Sequence, residues 1–142
     1  MIASPNTPSY YPSAISLNPA WRNTLTHLVV VEGWPDGVAQ PFIDSTYRDV
    51  SAKVQKLREL SPETGAYFNE PDSYEPEWQP AFFGEHYDKL KEVKIKYDAG
   101  NVLWCRRCVG SEALVEKIDG RLCAAGNAEA DDDVVWIRRS EL

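Results

Sequence analysis

The chain has little of what marks several large protein classes. Its 142 residues include only three cysteines, Cys105, Cys108 and Cys123, which is too few, and an odd number, for a scaffold stapled by disulfides. Histidine occurs twice, at His27 and His86, and with the scattered Cys123 these do not complete a four-ligand zinc set around Cys105 and Cys108. Basic charge is scarce, with 15 Lys and Arg against 22 Asp and Glu and a net charge of −7. A phosphate-neutralising surface therefore has no source, which argues against a nucleic-acid partner. Long apolar runs are missing too, and the stretch from Met1 to Trp21 has no basic leader followed by an apolar core. As written, the chain is expected to be neither secreted nor membrane-bound. Aromatic residues are what it does have: with five tryptophans and 43% hydrophobic residues, a modest globular core is within reach.

The opening, Met1 to Pro19, holds Pro5, Pro8, Pro12 and Pro19 among polar residues, so it reads as a loop or extended arm. From Thr24 to Trp34 a β-branched run closed by Gly33, Pro35, Asp36 and Gly37 predicts a strand. No second strong strand lies nearby, and a single strand cannot satisfy its own backbone groups. After Pro41, the spacing of Phe42, Ile43, Tyr47, Val50, Val54, Leu57 and Leu60 predicts an amphipathic helix of about five turns that leaves Arg48, Lys53, Lys56 and Arg58 to water and ends at Pro62. Gly65 to Pro76 reads as loop with a short extended core at Ala66-Tyr67-Phe68-Asn69. A second helix is expected from Trp78 or Pro80, with a stripe of Phe83, Tyr87, Leu90, the Lys94 stem and Tyr97, broken or kinked at Gly84. Val102-Leu103-Trp104 reads as a short buried segment and Val134-Val135-Trp136-Ile137 as a strand candidate. Asp131-Asp132-Asp133 reads as a solvated acidic loop. The pair Cys105-Arg-Arg-Cys108 has the spacing of a redox dithiol or half a zinc site, and its arginines favour thiolate; a structural disulfide or simple burial is the plain alternative for all three cysteines.

Taken in order, Asn18-Pro-Ala-Trp21-Arg22, Gly65-Ala-Tyr67-Phe-Asn69-Glu70, Trp78, Phe83-Gly84-Glu-His-Tyr87-Asp-Lys-Leu90, Lys94-Ile-Lys-Tyr-Asp98, Asn101-Val-Leu-Trp104-Cys105 and Val109-Gly-Ser-Glu112, with Asp119-Gly-Arg-Leu-Cys123 beyond them, resemble the C-terminal end of fungal FAD-linked oxidoreductases of the berberine bridge enzyme-like group, within the vanillyl-alcohol oxidase superfamily. His86 and Asp98-Ala99 depart from the family pattern, where Asn and Asp-Pro are frequent. The resemblance implies an α+β partial fold: one or a few strands from an antiparallel substrate-domain sheet, two amphipathic helices, and irregular N- and C-terminal segments. Its implied divisions are an extended arm at 1–17, the berberine-like region at 18–123 and an acidic tail at 124–142. It also explains the lone strand, whose partners would come from sequence upstream.

The implied function is hydride transfer from a small hydroxylated or amine substrate, such as a fungal secondary metabolite, to FAD. The FAD-binding domain would lie before Met1, so this chain alone is expected to be inactive and not to retain FAD. By motif, Tyr67 and Asn69 are the cofactor-facing residues, offering a hydroxyl and an amide to a heterocycle. Glu70, next to that motif, is the expected catalytic residue, a carboxylate that could take a hydroxyl proton in a shielded site. Core packing for Tyr67, a turn for Asn69 and a solvated loop for Glu70 are the plain structural alternatives. The expected partners are a small-molecule substrate and either the FAD-binding domain or a second copy, with no nucleic acid and no membrane. A flavin-free assembly module, or a small cyclase or isomerase using Glu70 or His27, are the competing readings.

Overall fold

The structure, a computed structural model, describes residues 15–117 and 119–127. The acidic loop at 131–133, the strand expected at 134–137 and most of the opening arm lie outside the described residues. The chain divides into two compact units, Met1–Asp88 and Lys89–Leu142.

In the first unit, α1 spans Gln40–Leu60 and starts with proline in its first turn, where the missing N–H would have had no helical partner. The expected helix is therefore present, but none of its residues is fully buried. Its inner face meets the chain on either side of it. Tyr47 lies between Trp34 and Tyr74, with ring centroids 5.4 and 5.1 Å away. Ser51 Oγ donates to Asp72 Oδ2 at 2.6 Å, and Asp72 in turn accepts from Tyr74 N at 2.9 Å, in the turn that begins at Asp72. Arg58, expected to face water, instead pairs with Glu75. The reason is burial: Glu75 is only 3% exposed, and a carboxylate withdrawn from water requires a partner.

The second helical stretch breaks where glycine predicts. α2 covers Trp78–Phe83, a 3-10 turn covers Gly84–His86, and α3 covers Tyr87–Tyr97. Gly84 sits at φ 59°, ψ −145°, a backbone region essentially restricted to glycine. A Cβ there would stand 2.9 Å from Asn18 Oδ1, so conformation and space both require the hydrogen. The core of this unit is aromatic: Phe68, Trp78, Phe82, Phe83 and Tyr87 form linked ring pairs with centroids 5.3–6.3 Å apart, and Trp78 and Phe82 are buried.

The Thr24–Trp34 segment does not form a strand. No ladder partner is assigned to it among the described residues, and Leu25, Leu28, Val29 and Val31 are exposed. The β-branched run is there without the hydrogen-bonding edge that a strand needs. Likewise, Ala66–Asn69 is not extended throughout: Glu70 N donates to Tyr67 O at 3.0 Å, closing a tight turn.

In the second unit, the Lys94 stem is covered as expected, its ammonium reaching Asp98 and the Leu103 carbonyl. Val102 and Leu103 are exposed, at 85% and 76%, which corrects the buried reading. Their backbone N–H groups are drawn to the Asp98 carboxylate at 2.8 and 3.0 Å, and this cap turns the side chains outward. The one sheet among the described residues is an antiparallel pair, β1 at Leu114–Glu116 and β2 at Leu122–Ala124, with Val115 opposite Cys123. Asp119-Gly120 makes its connection: Gly120 lies at φ 82°, and Asp119 Oδ1 accepts from Arg121 N at 3.1 Å. Val115 is buried. Cys105 and Cys108 form a disulfide and Cys123 is free, a bond that the redox-pair and the structural readings share.

Candidate functional site

Asn18 positions the site. Its Oδ1 accepts from Ala20 N at 3.0 Å and its Nδ2 donates to Ala81 O at 2.9 Å, fixing the 3-10 turn Pro19–Arg22 to α2. Ala81 O also accepts from Ala66 N at 2.8 Å. The same carbonyl thus holds the start of the Tyr67 loop, and Gly65 lets the strands of chain meet there, since a Cβ on it would lie 2.7 Å from Asn18 Nδ2.

The result is an aromatic cluster. Trp21, His27 and Tyr67 meet edge to face in all three pairings, with centroids 5.2 Å (Trp21–His27), 6.0 Å (Trp21–Tyr67) and 5.9 Å (His27–Tyr67). Rings in this arrangement hold one another's planes. Asn69 Nδ2 donates to the Tyr67 hydroxyl at 2.7 Å, so the tyrosine O–H is left to donate and the asparagine Oδ1 to accept. Tyr67 is 38% exposed, and Asn69 and Glu70 are exposed. The structure therefore brings Tyr67 and Asn69 into direct contact and places Glu70 at the end of the same turn, with its carboxylate in solvent. The sequence reading missed the cluster around Tyr67. The signal was Trp21 and His27 on either side of a short turn, but their meeting with a residue some forty positions away is tertiary.

Among the described residues there is no group of three or more His, Cys, Asp or Glu able to hold a metal ion, and no helix is long and apolar enough to cross a membrane. An exposed hydroxyl donor beside an amide acceptor, set against rings packed edge to face, can hydrogen-bond a heterocycle that offers an acceptor and a donor side by side.

Comparison with known proteins bears on the same loop. Residues 66–109 match the family described as berberine and berberine like. The chain is similar to the C-terminal region of the fungal berberine-like FAD-linked oxidoreductases. It is 34% identical over 109 residues to the FAD-linked oxidoreductase patO of Aspergillus clavatus, covering 76% of this chain and 19% of that protein. It is 36% identical over 111 residues to the FAD-linked oxidoreductase ZEB1 of Gibberella zeae, again 76% of this chain and 19% of the relative. A crystal structure of a VAO-type flavoprotein from Myceliophthora thermophila superposes with a TM-score of 0.67 at 35% identity, covering 77% of this chain and 19% of that one. The chain thus spans about a fifth of the length of the curated relatives it matches. The α+β partial fold expected from the resemblance is the fold observed, although its antiparallel pair is formed by residues near the C-terminal end and not by the Thr24 segment.

Proposed function

We propose that this chain supplies the cofactor-facing loop of an FAD-dependent oxidoreductase acting on a small hydroxylated or amine substrate, and that it is inactive without an FAD-binding domain. The observation that carries the reading is the Tyr67–Asn69 hydrogen bond inside the berberine-like segment. When bound, FAD would supply a two-electron acceptor. The chain's own part is positional. Tyr67 presents a ring held by Trp21 and His27 and a hydroxyl fixed by Asn69; Asn69 presents an acceptor. Glu70 receives the substrate's hydroxyl proton once a neighbouring domain excludes water from the loop.

The exposure of Leu25, Leu28, Val29 and Val31 beside an α1 without buried residues supports the incompleteness, because such surface is normally covered by a partner. The same exposure also fits a flavin-free assembly module that dimerises. The two readings separate by joining the chain to a berberine-type FAD-binding domain and following flavin absorbance under anaerobic substrate. Tyr67→Phe and Asn69→Ala are expected to weaken flavin retention, and Glu70→Gln to slow flavin reduction roughly a hundredfold, the scale of a lost general base. Unchanged flavin retention and reduction in all three variants would overturn the assignment, and a stable colourless dimer would favour the module.

A further inference from the structure

The Cys105–Cys108 disulfide plays no part in the flavin reading, and its ring size and surroundings argue that it does more than staple the fold. It closes a ring of four residues, and the loop-closure advantage of a disulfide shrinks as the ring gets smaller. It bridges Cα atoms 5.3 Å apart, a spacing at which the bond forms without backbone movement. Its turn also stands on other bonds: Cys108 N donates to Cys105 O at 3.1 Å, Ser111 N to Cys108 O at 3.0 Å, and Trp104 Nε1 to Ser111 O at 3.1 Å. Opening the disulfide therefore leaves the two sulfurs facing each other. Finally, Arg107 between them has φ 61°, a left-handed conformation that costs energy in a residue with a Cβ.

Exposure gives the pair a direction. Cys105 is exposed and Cys108 half-buried, so an incoming thiolate reaches the Cys105 sulfur. Arg106 and Arg107 lie between the two cysteines in sequence, Arg106 pairing with Glu116 at 2.6 Å, and positive charge beside a thiol favours the departing thiolate. From this geometry we infer that Cys105–Cys108 is a thiol–disulfide exchange site for low-molecular-weight thiols, attacked at Cys105.

In the first step an external thiolate bonds to Cys105 Sγ, the Cys105–Cys108 bond breaks, and Cys108 leaves as thiolate. In the second, another external thiolate attacks the outer sulfur of the mixed disulfide and Cys105 leaves as thiolate. Two external thiols are oxidised to their disulfide and the protein pair is reduced by two electrons. Return of Cys108 onto the mixed disulfide at Cys105 reverses the first step.

The test uses the full chain, folded, in glutathione buffers of graded thiol-to-disulfide ratio, with alkylation and peptide mass mapping. Circular dichroism follows the fold throughout. The expected result is reduction of Cys105–Cys108 by glutathione without loss of helix signal. In Cys108→Ser, glutathione is expected to accumulate on Cys105, and Arg107→Gln is expected to slow exchange by roughly three- to tenfold through loss of one cation. A bond that resists glutathione and opens only with a strong dithiol such as dithiothreitol, or only as the chain unfolds, would make it structural and overturn the inference. Should Cys108→Ser not fold, the wild-type glutathione titration still decides.

Discussion

The side-chain amide of Asn18 donates to the Ala81 carbonyl across 63 positions of sequence, at 2.9 Å. Asn18 is 5% exposed, and its Oδ1 holds the Ala20 N–H, so both ends of one amide are used. Asn18→Ala would leave the Ala20 N–H without that acceptor and release the Pro19–Arg22 turn from α2. The expected loss of stability is about 1–3 kcal/mol, read as a lowered urea midpoint. Asn18→Asp should lose as much, because a carboxylate cannot donate to Ala81 and would face its oxygen. Retention of wild-type stability by both variants would show that the turn is held by other means.

Arg58 and Glu75 form an ion pair with unequal burial: the side chains are 28% and 4% exposed. Removing the arginine strands a buried carboxylate, whereas neutralising the glutamate leaves an arginine that can still reach water. Arg58→Ala is therefore expected to cost about 1.5–3 kcal/mol, the scale of a hydrogen bond to a charged group, and Glu75→Gln less. Chemical denaturation of the two variants side by side tests the order, and a larger loss in Glu75→Gln would contradict it.

Asp98 titrates below the usual carboxylate range because the Lys94 ammonium donates to it, with the Leu103 and Val102 N–H groups adding to the effect. A depressed folded value means that the carboxylate's contribution is fully present above the ordinary carboxylate pKa and is lost as pH falls through the lower folded value. The turn after α3 should hold from neutral pH through the usual carboxylate range and loosen only below it. The Val102 and Leu103 amide resonances should move together with that single acid midpoint. A midpoint at or above the ordinary aspartate value would contradict the contacts, and Asp98→Asn should abolish the transition.

How far the sequence foretells this structure depends on how local each cause is. The periodicity from Phe42 to Leu60 predicts α1, and Gly84 predicts the break between α2 and α3, because spacing and backbone freedom are local. The Tyr67–Asn69 contact also lies within reach, at a separation of two. The outcome at Thr24–Trp34 differs because strand formation needs an edge that propensity does not supply. The exposure of Val102 and Leu103 came from an aspartate cap that hydropathy does not register. The β1–β2 hairpin was signalled by Asp119-Gly120, the dipeptide favoured in tight turns, but its three-residue strands carry too little alternation to read. The meeting of Trp21, His27 and Tyr67 depends on Asn18 reaching Ala81, and nothing local announces it.

On the function proposed above, the apolar faces of residues 24–34 and α1 are covered by sequence outside this chain. Hydrogen–deuterium exchange measured on the chain alone and on the chain joined to a berberine-type FAD-binding domain tests this most directly. Fast exchange is expected at 24–34 in the isolated chain and strong slowing there and along α1 in the joined protein, with the Tyr67 loop slowing further when FAD is added. Equal exchange at these segments in both forms would contradict it.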